Sequence, residues 1–176
     1  MKAIVFGIKK FKSFIGNEGY GFNAELWMDG KKACFVIDDA RGGEYHWNWY
    51  SKDCEKQFCD YLKSLPVEKV EDDAEAWEKK LYPNGRAWSE EVFMGMLVDQ
   101  HQNFSSIQRR AKTSTIFTIP SNKKGEYISI KLPFSPETKA KILANPKNAG
   151  AKFINEHLSD SGWMEMIGMK PLPIPS

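Results

Sequence analysis

Little in this chain of 176 residues suits secretion or a membrane, and its charges nearly cancel. Three cysteines (Cys34, Cys54, Cys59) are an odd and sparse set, so no disulfide framework is expected and a reduced, cytoplasmic setting is. No stretch approaches the ~18 consecutive apolar residues of a membrane span. The opening Met1-Lys2-Ala3-Ile4-Val5-Phe6-Gly7-Ile8 lacks a long apolar core and a cleavage site, and predicts a first strand instead of a signal peptide. With 25 Lys+Arg against 23 Asp+Glu, the net charge of +2 excludes a uniformly basic nucleic-acid coat protein and an acidic DNA mimic. There is no internal repeat, nucleophile elbow, zinc-protease helix or kinase signature.

What is present is enough apolar material for a core: 41% hydrophobic residues beside 27% charged. The predicted fold is a single α+β domain over 1–170, with a Pro-rich extended tail at 171–176. An antiparallel sheet of about four N-terminal strands is packed by helices, followed by a second β-hairpin and C-terminal helices. Asp29-Gly30 is the preferred dipeptide of a type I′ turn and lies between two alternating stretches. Pairing Met28 with Lys31 and continuing that register puts Phe22, Ala24, Leu26, Ala33, Phe35 and Ile37 on one apolar face. Asn23, Glu25, Trp27, Lys32, Cys34 and Val36 then share the other, mixed face.

A return through Gly42-Gly43 leads to Tyr45–Tyr50, with Trp47 and Trp49 on the apolar face and His46 across from Asp38. Ser51 caps a helix carrying Cys54, Phe58, Tyr61, Leu62 and Leu65 inward, and Pro66 ends it. A short acidic helix over 71–81 would turn Ala74, Trp77 and Leu81 inward. Ser89 caps a longer helix with Trp88 and Phe93 as a hydrophobic staple. The second hairpin joins 115–119 to 127–132 with Phe117 opposite Ile130, and Pro136 and Pro146 each mark a helix start.

The net charge conceals a segregation. Residues 53–99 carry 6 basic and 12 acidic side chains, whereas residues 101–152 carry 10 and 2. Arg109, Arg110 and Lys112 end a helix, and Lys123, Lys124 and Lys131 decorate the following hairpin. Such a set suits contact with a nucleic-acid backbone without base readout. The competing explanation is that the arginines complement the helix dipole and the remaining charge pairs with Asp72, Asp73 and Glu75.

The mixed sheet face gathers Glu25, Asp38, His46 and Asn48 near Trp27 and Tyr50. A carboxylate facing an imidazole makes a general base, so Asp38, His46 and Glu25 define an alternative, a metal-dependent hydrolase or nuclease. Asp38, Asp39 and His46 also offer cation ligands, and the same face suits a small nucleotide. An ordinary solvated face with one Asp–His pair is the plainer account. Cys54 and Cys59, five apart on one helix, diverge by about 140° and make a poor zinc motif. Gly16-Asn17-Glu18-Gly19-Tyr20-Gly21 lacks the lysine and helix of a phosphate loop and reads as a turn. His101 and His157 stand isolated. Trp27, near the hairpin tip, is either packing, an interface anchor or a stacking platform.

The Phe11–Phe22 opening, the Asp29-Gly30-Lys31-Lys32 hairpin and the Gly42-Gly43 return are similar to the texture of small accessory proteins of bacteriophages and mobile elements. That resemblance implies a protein that engages a host protein or nucleoprotein complex, often to block a defence system. The expectation is therefore stoichiometric binding without catalysis, through Arg109, Arg110, Lys112, Lys123, Lys124, Lys131 and Trp27. Neither a cofactor nor a metal is expected, and no membrane contact.

Overall fold

The computed structural model describes residues 4–70, 74–123, 125–160 and 162–173. The chain's contacts gather into two compact units, residues 1–98 with 172–176, and residues 99–171. Among the described residues no helix is long and apolar enough to cross a membrane.

The first unit is built on a four-stranded antiparallel sheet of β1 (Phe6–Gly16), β2 (Gly19–Met28), β3 (Lys31–Asp38) and β4 (His46–Trp49), in that spatial order. The Asp29-Gly30 turn forms as expected, with φ of 48° and 77° at its two central residues. Positive φ at both is the type I′ requirement, and only the glycine meets it without steric cost. Met28 pairs with Lys31 and Trp27 with Lys32, but Leu26 then pairs with Cys34. Ala33 is the extra residue of a β-bulge.

That bulge overturns the predicted faces of β3. One inserted residue shifts every later side chain to the opposite side. Cys34 and Val36 join Phe22, Ala24, Leu26, Met28 and Ala33 in the buried core, while Phe35 and Ile37 turn outward beside Glu25 and Asn23. Trp47 and Trp49 do reach the apolar face, opposite Val36 and Cys34 instead of Ile37 and Phe35.

Helix α1 (Lys52–Ser64) covers this face. Ser51 Oγ accepts the Cys54 N–H at 3.1 Å, the N-cap that the sequence announces. Phe58 is fully buried and meets Phe6, Trp47, Trp49 and Phe93 at ring distances of 5.4 to 5.9 Å. Helix α2 (Ala76–Leu81) departs from expectation: Trp77 and Leu81 are about 60% exposed, and the helix buries none of its residues. Six residues make under two turns, too short a helix to bury an apolar stripe. Helix α3 (Glu90–Ala111) starts at Ser89, whose Oγ accepts the Val92 N–H, and Trp88 meets Phe93 edge-on at 6.4 Å. The tail does not hang free at residues 171–173: Leu172 packs against this core and the Tyr61 hydroxyl donates to the Pro173 carbonyl at 2.9 Å.

The second unit carries a three-stranded sheet in the order β6 (Ile128–Ile130), β5 (Thr115–Thr118), β7 (Lys152–Phe153). Phe117 pairs with Ile128 and not with Ile130, a register two residues from the expected one. A shift of two preserves the face, so Phe117, Ile119, Ile128 and Ile130 still share one apolar cluster. Helix α4 (Pro136–Leu143) starts at Pro136 as predicted and is capped by Ser135, whereas Pro146 opens only a 3₁₀ turn of three residues. A second 3₁₀ turn, Ile154–His157, precedes α5 (Gly162–Met166).

Candidate functional site

In the first unit the outer sheet face is organised around Glu25. Its side chain is almost fully buried on a face that otherwise meets water, and its Oε1 lies 3.0 Å from Lys10 Nζ and 2.7 Å from Lys32 Nζ. Trp27 Nε1 donates to Oε2 at 3.2 Å. The Lys32 hydrogen bond, with those from Lys10 and Trp27, outweighs burial and holds the Glu25 carboxyl down at about 2. The same bond raises Lys32 above its ordinary value. Lys9 Nζ sits 3.5 Å from the centre of the Trp27 ring, a cation–π contact, and Lys32 lies 5.5 Å from that of Tyr50.

A second bulge makes this cluster. The β1–β2 register shifts between Lys9 and Lys12, with Lys10 at φ 50°. Both lysines therefore serve the outer face while Phe11 turns in to stack on Phe22 at 6.0 Å. Sequence reasoning missed Lys9 and Lys10. The signal was the run Lys9-Lys10-Phe11, which breaks strict alternation where a bulge is needed.

The structure does not bring Asp38, His46 and Glu25 together. Asp38 pairs with Phe22, on the core side of the sheet, while His46 pairs with Ile37 on the side of Glu25. The Asp38 carboxylate is occupied in accepting the Ala40 N–H at 2.9 Å. The carboxylate facing His46 belongs to half-buried Asp39, Oδ2 to Nε2 3.7 Å. Among the described residues no group of three or more His, Cys, Asp or Glu is placed to hold a metal ion. Burial raises the Cys34 thiol to about 12, and burial with a bond to Glu90 raises Cys59 to about 11. Neither is a thiolate near neutral pH.

In the second unit Arg109, Arg110, Lys112, Lys123 and Lys131 are all exposed. Arg110 reaches Tyr127, donating to its hydroxyl at 3.2 Å. Lys112 and Lys131 flank the Thr115–Ile130 end of the hairpin, and Lys123 stands in its loop. Arg109 donates to the Ser105 carbonyl, a contact within α3. None of these five enters an ion pair among the described residues, in contrast to Lys139, which pairs with Glu156 at 2.6 Å. Lys124, Asp72 and Asp73 lie outside the described residues.

Searches against protein-family models, curated proteins and solved structures each found no match.

Proposed function

We propose that this chain is a stoichiometric binding protein of the phage-accessory kind, acting in the host cytoplasm on a host protein or nucleoprotein complex. It contacts the phosphate-bearing part of that target through the basic segment of its second unit. The observation that carries this reading is the exposed set Arg109, Arg110, Lys112, Lys123 and Lys131, none of it ion-paired among the described residues. Cations held on a helix end and a hairpin, with no ion pair among the described residues, leave their charge available to an external polyanion. Trp27, fixed by Glu25 and Lys9, adds a rigid aromatic on the first unit for the protein part of the target.

The test is fluorescence anisotropy with labelled single- and double-stranded DNA across a salt series. Engagement of about four phosphates predicts a roughly hundredfold loss of affinity between 50 and 200 mM salt. Arg109→Glu combined with Lys123→Glu should lower affinity and flatten that salt slope, and should also abolish capture of a dominant partner from host lysate. Salt-independent binding, or none to either DNA form, removes the phosphate contact from the proposal.

A further inference from the structure

The second unit holds a cleft of about 450 Å³ that the binding role above does not use. That volume lies within the range of small-molecule sites. Two donors stand on one wall: Lys152 on β7 pairs directly with Thr118 on β5, and both line the cleft. Glu165 on α5 and His157 on the preceding 3₁₀ turn line it as well, with Ile119 and Met166 as apolar surface.

The imidazole faces a carboxylate on one side. His157 Nδ1 lies 3.4 Å from Asp160 Oδ2, and Asp160 is itself anchored by the Gly162 N–H donating to Oδ1 at 2.7 Å. A carboxylate at Nδ1 favours the tautomer that donates there, which makes Nε2 an acceptor. Nε2 has no partner among the described residues. Space at Gly162 is given over to this arrangement. A Cβ there would lie 2.9 Å from both Asp160 Oδ1 and His157 Nδ1, so the glycine is required for room and not for backbone freedom.

The cleft therefore presents two donors, Lys152 and Thr118, and two acceptors, Glu165 and His157 Nε2. Lys152 and Glu165 have opposite charges, yet neither enters an ion pair among the described residues. An anion alone would meet Glu165 unfavourably, and a cation alone would meet Lys152. A molecule carrying both charges satisfies all four groups. We infer that this cleft binds a small zwitterion with an apolar side chain, the class of the free aliphatic α-amino acids. The carboxylate is met by Lys152 and Thr118, the ammonium donates to Glu165 and His157 Nε2, and the side chain rests on Ile119 and Met166.

The experiment is an NMR titration of the full chain with L-leucine, with 4-methylpentanoate, which lacks the amine, and with 3-methylbutylamine, which lacks the carboxylate. Leucine should shift the His157 ring and Met166 methyl resonances saturably, and each half-molecule should bind at least about tenfold more weakly. Lys152→Met should erase the preference for leucine over the amine, and Glu165→Gln the preference over the acid. Both side chains are exposed, so unchanged thermal midpoints are expected to accompany these losses. Gly162→Ala, by displacing the imidazole, should weaken leucine but not 4-methylpentanoate. The inference is overturned if leucine, methionine and phenylalanine all fail to shift these resonances up to about 10 mM. It is equally overturned if the half-molecules match leucine, or if both charge variants leave its affinity unchanged.

Discussion

Glu25 shows how one residue changes meaning between a sequence and a fold. In the sequence it is a carboxylate on a mixed strand face, free to act as a base. In the structure Lys32 and Lys10 bind the same oxygen and Trp27 the other, so its proton is lost far below the ordinary range, at about 2. A carboxylate depressed in the folded state stabilises the fold above its unfolded value, near 4.5, and loses that contribution as pH falls toward 2. We predict that the stability of the native protein exceeds that of Glu25→Gln by a constant margin above pH 4.5, and that the margin shrinks below it. Urea unfolding at a series of pH values measures this; a margin independent of pH down to 2 contradicts the assignment. The lysines were visible as residues, but not as partners. Lys10 reaches Glu25 only because a bulge places it beside Lys9 on one face.

At the scale of elements, capping and turn chemistry were legible, while register was legible only locally. Ser51 and Ser89 cap the helices expected of them, and Ser135 caps the helix marked by Pro136, since a hydroxyl accepting an N–H three residues on is a local event. The Asp29-Gly30 turn is equally local. Gly30→Ala forces a side chain into φ 77° and should cost about 1–2 kcal/mol, read as a lower urea midpoint with an unchanged slope. An effect below a few tenths of that would mean the turn relaxes to another type. The bulge at Ala33 carries no comparable sequence mark. It puts Ala33 and Cys34 both in the core with Leu26 and the α1 residues Phe58 and Tyr61, a burial set by packing across elements and not by the strand's own pattern. Phe58, on that helix, touches four aromatic rings, and Phe58→Ala should cost about 3–5 kcal/mol. A loss under about 1 kcal/mol would show that the core collapses to fill the space.

At the scale of the whole molecule, the chain returns near its end to the unit it began in. Leu172 packs on the first core, and Tyr61, only 2% exposed, donates to the Pro173 carbonyl. Tyr61→Phe should therefore cost about 1 kcal/mol, and truncation after Lys170 should cost at least as much. Chemical denaturation of both variants checks this, and an unchanged midpoint for the truncation would mean that the docked tail adds nothing. Charge reversals at Arg109 and Lys123 lie on exposed positions and should leave stability within about 0.5 kcal/mol while weakening polyanion binding.

The sequence by itself determined the α+β class, the four-stranded sheet, the starts of α1, α3 and α4 and the concentration of positive charge in residues 101–152. Each of these rests on period, composition or a contact only a few residues long. Only the tertiary structure decided which face of β3 is buried, which carboxylate faces His46, and that Glu25 is held ionised between two lysines. Only it brought Lys152, His157 and Glu165 to one cleft. These depend on strand register and on residues meeting across separate elements, where a single inserted residue exchanges inside for outside. The net charge of +2 belongs to the sequence. Which of its charges remain unpaired belongs to the fold.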